Sequence, residues 1–556
     1  MDINMFNMSH LDSLERFKGQ SIALLGGSFD PFHNAHRMLV KSAVEALPVE
    51  SLLVMPLGWA PHKTTRMRLA AFRYEMSIRG VYGIPRVYVS DEEIKTPAIS
   101  YTIDTVTHLI NKISPDPLYL VIGSDSFEAL PSWRCYKELA LKVVFAVARR
   151  GDDDMEKLHT LAERYQKEDD ARVVFFKMPP SSLSSSNLRT ALRQGKSVEG
   201  ACPEKVVGLI NTYRIYDFQD EYDALSEESW SRIRSTELAA WRYYTQKQRL
   251  HVVSVAQYAA RLALANGVDL EKAFIAGLLH DAAKNLPVKE RLLLAEAYLT
   301  SHLFAKDAAK VIRDVAFSNK NKLVSSDQSV KEFGSYYEGS DYHSVLLNTS
   351  LSETRTTCLS DNSSSEMRTT CLSDNSLSEI QTSCLSDNSS SEMRTSYLSN
   401  TSSSEIRTTC LSDSSSEMRT SYLSNASSSK IRNSCLNDNE TLWLTSLNKS
   451  LLHGPAGAML AKNIFGIYEP DILDAICFHS TARPNMTSLE KVLYLADKIA
   501  YDRTFKRLEP IRKYSQKGDL DFAMHLCLEE TFVALNRKGK IPHPFSIAAY
   551  EEIRDL

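Results

Sequence analysis

The sequence lacks several features that would place it in a specialised class of protein. No apolar run reaches about 18 residues, which argues against a membrane-spanning helix. The formal net charge is −4 and the pI is near 6.4, so the sequence predicts no nucleic-acid partner. The first twenty residues are too polar for a secretory signal, and we expect no membrane association.

Paired cysteines are also missing, because the nine cysteines include no CxxC pair. Five of the cysteines belong to copies of one repeated segment, and the other four are scattered through the chain. Neither a disulfide framework nor a cysteine metal site is predicted, and the reducing cytoplasm is the expected location. With 556 residues, the chain is long enough for several domains that each bury a core.

The most informative stretch is GGSFDPFHNAH (26–36), which follows the apolar run SIALL and precedes a helical pattern. A glycine pair between strand and helix lets the backbone approach a ligand, and a helix start offers free N–H groups to phosphate. His33 and His36 are three residues apart, so both imidazoles can face the same anion. Taken alone, this pattern also fits an ordinary turn with exposed histidines.

From Ser21 to about Phe218, short apolar runs alternate with amphipathic helices. The later strand candidates are SLLVMP, RVYVS, LYLVIG, KVVFAVAR and RVVFFKM. This alternation predicts an α/β domain with a doubly wound, Rossmann-like parallel sheet, whose ligands bind at the carboxyl ends of the strands.

The stretch 26–36 resembles the GSFDPxHxGH signature of nucleotidyltransferases, in particular bacterial nicotinate-nucleotide adenylyltransferases. Ala35 stands where that family usually has glycine, and its methyl group is expected to narrow the nucleotide pocket. Four further strings resemble motifs of the same family in the same order: WAPHK (59–63), SYTIDT (100–105), IGSDSFEALPSW (122–133) and SSSNLR (184–189).

The resemblance implies adenylyl transfer from ATP to nicotinate mononucleotide, with Mg²⁺ as cofactor and no protein nucleophile. His33 and His36 would be the catalytic residues, which hold phosphate and stabilise developing charge. Trp133 would face the nicotinate ring, with a role in the hydrophobic core as the second interpretation. The other implied nucleotide- and substrate-binding residues are Gly26, Gly27, Ser28, Phe29, Lys63, Thr102, Gly123, Asp125, Ser185, Ser186 and Arg189.

After an acidic segment (220–228) that is typical of a linker or of a helix start, the pattern becomes all-helical. Helices are predicted over 249–265 and 270–284, and the second of them carries the pair His280 and Asp281. Histidines and aspartates in otherwise apolar helices need a partner, and a divalent metal supplies one. The candidate metal ligands are His251, His280, Asp281, His453, His479 and Asp497.

This helical part resembles the HD-domain phosphohydrolases, and the strings HDAAK, HGPAGAML and HSTARPNMTSLEKVLYLAD resemble the YqeK-type symmetrical diadenosine-tetraphosphate hydrolases. Four histidines and two aspartates exceed one tetrahedral shell, which favours two metal ions with Asp281 as a bridging and catalytic ligand, and the resemblance implies iron. Lys284 and Arg483 would neutralise phosphate charge during hydrolysis of diadenosine tetraphosphate to two ADP. Both could instead be solvated surface charges.

The spacing between Asp281 and His453 is widened by a Ser-, Thr- and Asn-rich segment (324–442) with seven near-copies of a 13-residue unit. Each copy has about three apolar residues, which favours disorder, with a short-period β-solenoid as the second interpretation. We divide the chain into an N-terminal extension (1–19), an adenylyltransferase domain (20–218), a linker (219–235), a first HD part (236–323), the insertion (324–442) and a second HD part (443–556).

Two alternatives to this bifunctional enzyme stay open at the level of sequence. The HD domain could hydrolyse another phosphate ester, such as a nucleotide monophosphate or a cyclic nucleotide. One of the domains could also be a non-catalytic nucleotide-sensing module. The sequence leaves the oligomeric state undecided.

Overall fold

A computed structural model of the chain describes residues 14–59, 66–96, 101–149, 151, 153–302 and 449–554, together with seven strands between 353 and 434. Lys63 and most of the WAPHK motif lie outside the described residues. The chain forms two units, one of residues 1–298 with 450–556, and one of residues 299–449.

A six-stranded parallel sheet is the centre of the first domain, with strand order β3-β2-β1-β4-β5-β6. Each apolar run identified in the sequence forms one strand, so the predicted doubly wound sheet is confirmed. All of β2 is buried, as expected for a parallel strand covered on both faces. The strands are β1 Ile22–Gly27, β2 Ser51–Pro56, β3 Val87–Val89, β4 Leu118–Gly123, β5 Val144–Arg149 and β6 Arg172–Lys177.

β1 and β4 are neighbours in the sheet although they are not consecutive in sequence, so a topological switch point lies at their carboxyl ends. Leu14 and Phe17, from the segment predicted as an extension, are buried in the core of this domain. The helices of the domain are α1 Asn34–Ala46, α2 Ala70–Val81, α3 Thr102–Ile113, α4 Ser124–Glu128, α5 Tyr136–Lys142, α6 Met155–Asp169, α7 Ser185–Arg193 and α8 Glu204–Tyr213.

The rest of the first unit is helical, which confirms the predicted change of fold class after the first domain. None of the described helices is long and apolar enough to cross a membrane. The helices are α9 Gln219–Asp223, α10 Glu227–Ala240, α11 Gln246–Ala265, α12 Leu270–Leu279, α13 Val288–His302, α14 His453–Phe465, α15 Pro470–Phe478, α16 Ser488–Ile499, α17 Glu509–Gln516, α18 Leu520–Asn536 and α19 Pro544–Arg554.

The structure decides two local features. The acidic segment, predicted as a linker or a helix start, forms α9 and the start of α10, because Tyr222 and Trp230 are buried and hold it against the fold. The helix predicted to run to Lys284 ends at Leu279, and His280 follows as its C-terminal cap. Beyond this point the N–H of Ala282 bonds back three residues to the carbonyl of Leu279, which forms a tight turn in place of a further helical turn.

The repeat contains seven strands: β7 Glu353–Leu359, β8 Met367–Ser373, β9 Glu379–Leu385, β10 Met393–Ser399, β11 Glu405–Leu411, β12 Met418–Ser424 and β13 Lys430–Ser434. Alternate strands pair in parallel and form two sheets, with orders β12-β10-β8 and β13-β11-β9-β7. The register aligns equivalent positions, for example Met367 with Met393 and Met418. Disorder therefore does not hold for these strands, because near-identical copies let each backbone pair with the copy above and below, as in the solenoid interpretation.

Candidate functional site

The loop between β1 and α1 builds the first site. A Cβ on Gly27 would approach the ring of Phe29 to 2.8 Å, whereas a Cβ on Gly26 would meet nothing within 4 Å. Phe29 has a φ of 48°, in the left-handed region, and its buried ring packs against Phe32 and His36. The side chain of Phe29 therefore supports the loop from below, and open space remains beside Gly26.

His33 and His36 lie where this loop becomes α1. His33 is the N-cap of the helix, and its ring stacks on that of His36 with centroids 3.7 Å apart. The backbone N–H of His33 donates to Nδ1 of His36 over 3.2 Å, so a neutral His36 carries its proton on Nε2. Burial lowers the pKa of His33 to about 4. The pair thus places imidazole N–H groups beside the free backbone N–H groups of a helix N-terminus, a favourable position for an anion.

The start of α7 is attached to the same loop. Ser185 Oγ donates to the carbonyl of Pro31 over 3.2 Å, and Arg189 Nη1 donates to the carbonyl of Asp30 over 2.7 Å. Ser184 caps α7 by accepting from the N–H of Asn187, and Ser186 is exposed in the first turn. The SSSNLR motif and the histidine pair, which are about 150 residues apart in sequence, are therefore neighbours in the structure.

The remaining candidates of this domain lie at other strand ends. Gly123 ends β4, and the exposed Asp125 is in the first turn of α4 directly after it. Thr102 is the first residue of α3, and Trp133 is half-buried with one side against the domain core. Among the contacts of the described residues, none joins these side chains to His33 or His36, so their ligand roles stay predictions.

The second site collects four histidines from separate parts of the chain. Three of them share one arrangement: Nδ1 faces the carbonyl three residues earlier, at 2.8 Å for His280, 2.6 Å for His453 and 2.7 Å for His479. A carbonyl only accepts, so Nδ1 carries the proton and Nε2 presents a lone pair. This is the outer contact by which proteins orient histidine ligands toward a metal.

Asp281 is the carboxylate common to two clusters with metal-ligand spacing, one with His251 and His280 and one with His453 and His479. Its Oδ1 lies 3.3 Å from Nε2 of His453, and its Oδ2 lies 3.6 Å from Nε2 of His280. The sixth predicted ligand, Asp497, has Oδ1 at 3.1 Å from Nε2 of His251. The structure therefore brings all six predicted ligands together, with Asp281 in the central position.

The residues at this site fit a divalent metal on two observations. Nε2 of His280 is buried and has no hydrogen-bond partner among the described residues. Leaving a buried polar atom without a partner costs about 1–3 kcal/mol of folding free energy. Nε2 of His453 and Nε2 of His479 are only 3.1 Å apart, and both present lone pairs. The hydroxyl of Ser480 touches both atoms but has a single proton to donate.

The electrostatics of His280, His479 and Asp281 agree with this fit, whereas those of His251 favour its protonated form, which does not bind metal. Burial lowers the pKa of His280 and of His479, so both favour the neutral form that binds metal. Burial opposes ionisation of Asp281, yet the neighbouring histidines hold its pKa well below the usual range. Burial also acts against a charged His251, but its bonds to Asp497 and Asp502 raise the pKa to about 9.

The two predicted phosphate-neutralising side chains have different surroundings. Lys284 Nζ lies 2.7 Å from Oδ2 of Asp281, so the structure places it at the cluster. Arg483 is paired with Glu490 at 2.6 Å and Asp474 at 3.1 Å, and no described contact joins it to the histidines. Its assignment to phosphate binding stays a prediction.

Sequence reasoning missed several residues at this site. Asp502 accepts the second nitrogen contact of His251 at 2.9 Å, and Lys498 Nζ lies 2.6 Å from Oδ2 of Asp497. Asp502 lies five residues after Asp497 in the string LADKIAYDR, and this second carboxylate was the available signal. For Ser480, the available signal was a hydroxyl directly after the candidate ligand His479.

Comparison with known proteins identifies the first domain. Residues 24–191 match the cytidylyltransferase-like family. A probable nicotinate-nucleotide adenylyltransferase from Pseudomonas fluorescens is 31% identical over 209 residues, which cover 36% of this chain and 98% of that protein. Through its first domain, the chain belongs to this adenylyltransferase family. Proteins of the same description from Rhodopirellula baltica (31% identical; 35% of this chain, 92% of the relative) and Clostridium novyi (29%; 35% and 97%) are also similar.

Residues 250–334 match the HD domain family, and this range includes His251, His280 and Asp281. The helical half therefore carries an HD domain, a class that implies a divalent metal. A Clostridium acetobutylicum crystal structure, described as a predicted HD superfamily hydrolase involved in NAD metabolism, aligns with 58% of this chain and 95% of its own. The identity is 22% and the TM-score is 0.29, which is too low to carry an argument.

Proposed function

We propose that the first domain transfers the adenylyl group of ATP to nicotinate mononucleotide and releases deamido-NAD and pyrophosphate. The observation that supports this most strongly is the stacked pair His33 and His36 at the N-terminus of α1, with Ser185 and Arg189 attached to the same loop. The relatives named above carry this activity in their descriptions.

In this proposal the 5′-phosphate of the mononucleotide attacks the α-phosphorus of ATP in line. The protein then contributes position and charge stabilisation and no nucleophile. Nε2–H of His36 and the first N–H groups of α1 donate to the phosphates, with Arg189 and Lys63 on the triphosphate. Trp133, Thr102 and Asp125 contact the mononucleotide, and Mg²⁺ arrives with ATP and screens its phosphate charge.

The test is pyrophosphate release from the full chain with ATP and Mg²⁺, measured separately with nicotinate mononucleotide, nicotinamide mononucleotide and phosphopantetheine. We expect release with nicotinate mononucleotide, together with a product that has the mass of deamido-NAD. Release with one of the other acceptors alone would keep the reaction type and overturn the acceptor.

For the HD domain, we propose hydrolysis of diadenosine tetraphosphate at its centre, giving two ADP, as in YqeK-type enzymes. Two adjoining ligand clusters that share Asp281 support a site for two divalent ions, with iron as the metal suggested by the resemblance. Metal ions bound there would supply Lewis acidity toward phosphoryl oxygens and lower the pKa of water.

The protein's own residues have three tasks in this reaction. The carbonyls of residues 277, 450 and 476 fix the orientation of three imidazoles through Nδ1. Asp281, kept ionised by the surrounding histidines, supplies negative charge to both clusters. The ammonium group of Lys284 lies beside Asp281 with its side chain 46% exposed, so it can neutralise a phosphate that enters from solvent.

A product assay on diadenosine tetraphosphate tests this assignment, in parallel with metal analysis of the purified chain. ADP as the sole nucleotide product is expected, whereas AMP plus ATP would overturn symmetrical cleavage. Activity on a nucleotide monophosphate or a cyclic nucleotide, with none on the tetraphosphate, would assign the domain to another phosphate ester.

A further inference from the structure

The helix α2 of the adenylyltransferase domain begins without a cap of its own. Its N-cap residue is Leu69, which has no side-chain hydrogen bond to the helix, and its first turn contains no acidic residue. Leucine is among the poorest N-cap residues, because it cannot accept from the free N–H groups. The groups that need a partner are therefore left to another part of the structure.

That partner comes from the helical part of the chain that begins at α9 and carries the HD domain, called the HD half below. Glu237, on α10, accepts from the N–H of Ala71 through Oε1 and from the N–H of Ala70 through Oε2, both at 3.0 Å and both buried. A carboxylate at a helix N-terminus also interacts favourably with the helix dipole. Glu237 thus supplies the cap that Leu69 lacks, from more than 160 residues further along the chain.

α2 in turn holds the loop of the histidine pair. Arg73, in the first turn, is buried and donates through Nη1 to the carbonyls of Ser28 at 3.2 Å and Leu57 at 2.7 Å. Burial lowers the pKa of Arg73, and the charges of Asp30 and Glu237 oppose that shift. Hydrogen bonds therefore connect Glu237 to the first turn of α2, and Arg73 of that turn to Ser28 in the loop of the histidine pair.

A second contact ties the same loop to the residue just before α2. The N–H of Arg68 donates to Oδ2 of Asp30 over 3.1 Å.

Burial raises the pKa of Glu237, while the two backbone N–H groups, Arg73 and Arg234 act in the opposite direction. Each described partner of the Glu237 carboxyl group is thus a donor that stabilises its ionised form.

The fused chain is much longer than the adenylyltransferases that it resembles. The 209 aligned residues cover 98% of the Pseudomonas fluorescens relative but 36% of this chain, so that relative is too short to include the HD half. We propose that Glu237 is a positioning residue for the adenylyltransferase site: the HD half holds α2 and Arg73, and through them the phosphate-binding loop. This inference rests on the proposed adenylyl transfer from ATP and does not depend on the acceptor.

The test is ATP binding to the full chain and to Glu237→Gln, measured by calorimetry with Mg²⁺. The variant replaces one acceptor by an amide donor that faces a backbone N–H group. We expect the stoichiometry to stay near one ATP per chain and the affinity to fall on the order of tenfold, since small displacements of binding groups have effects of this size. The KM for ATP should rise in proportion, and the KM for nicotinate mononucleotide should stay within about twofold.

Glu227→Gln is the matched control, because Glu227 is on the same helix and its exposed side chain forms an ion pair with Arg66 at 3.4 Å. Should Glu237→Gln fail to fold, Glu237→Asp keeps the charge with a shorter reach and should weaken ATP binding about threefold. Unchanged ATP affinity in the folded variant would overturn the proposal, and so would a lower stoichiometry at unchanged affinity. Failure of the acceptor assignment would show differently, as ATP binding without deamido-NAD formation by the wild-type chain.

Discussion

The two candidate sites of this chain are built in opposite ways. The adenylyltransferase site is centred on one continuous loop and helix start, residues 26–36, in which a helix N-terminus and two neighbouring histidines lie together. The HD site has no continuous core, since its candidate ligands lie between His251 and Asp497 on or beside five helices of the first unit. One site is a property of a loop and the other a property of a helix bundle.

The difference follows from what each site has to bind. Phosphate is large, mobile and negatively charged, and a helix N-terminus with a flexible glycine pair accommodates it locally. A metal ion needs several lone pairs directed at one point, and no short stretch of helix can present four imidazoles to the same point. Each site should therefore fail for its own reason, without affecting the other.

The largest effect is expected from Asp281→Asn, which removes the carboxylate shared by both metal clusters. Metal content should fall to background, and tetraphosphate hydrolysis should fall well beyond the roughly 100-fold typical of outer-shell changes. The measurements are elemental analysis and the ADP assay. Asp471→Asn is the control, because the Asp471 carboxylate pairs with the ammonium group of Lys272 and the backbone N–H of Ile472. Parallel loss of adenylyl transfer would contradict the independence of the two sites.

Next in size is His36→Ala, which removes the Nε2–H donor beside the phosphates and the ring that stacks on His33. The kcat for adenylyl transfer should fall on the order of 10²–10³-fold, as for the loss of one preorganised donor. Pyrophosphate release measures this change, and His159→Ala on the exposed side of α6 is the matched control. Hydrolysis of diadenosine tetraphosphate by the HD domain should be unaffected by this change. An unchanged kcat for adenylyl transfer would remove His36 from the catalytic assignment.

A smaller effect is expected from Asp502→Asn. Asp502 contacts Nδ1 of His251 at 2.9 Å. Carboxylates that orient a metal-binding histidine through its other nitrogen contribute about 10–100-fold to metal affinity or activity. Metal titration against a competing chelator should show weaker binding, with hydrolysis recovered at high metal concentration. Asp521→Asn, which removes a surface pair with Lys491, should bind metal like the wild type. Equal metal affinity in Asp502→Asn would place Asp502 outside the site.

The smallest effect is expected when residues 324–442 are replaced by a short Gly/Ser linker. This segment belongs to the second unit (299–449), which includes none of the candidate metal ligands, and a change in loop length of this size changes the closure free energy by about 1 kcal/mol or less. Metal content and both activities should stay within about twofold of the full chain. Loss of metal from the shortened chain would show that the inserted strands help to hold the HD site together.

Sequence alone determined those features that depend on neighbouring residues. The six strands of the first domain followed from short apolar runs, because the hydrophobic period of a buried strand is a local pattern. The loop 26–36 was recognisable because its glycines and histidines are neighbours in the sequence. The six metal-ligand candidates were recognisable as polar residues in apolar helices. The identity of these residues required no knowledge of their distances.

Tertiary structure decided how these residues are used. It ended α12 at Leu279, so that His280 and Asp281 lie at a turn, and it placed Asp281 between two histidine clusters. It aligned the copies of the repeat in parallel sheets, and it brought Glu237 of the HD half to the bare end of α2. Each of these results depends on contacts between residues far apart in sequence, whose pairing the local pattern does not encode, because it is set by the packing of whole helices and strands.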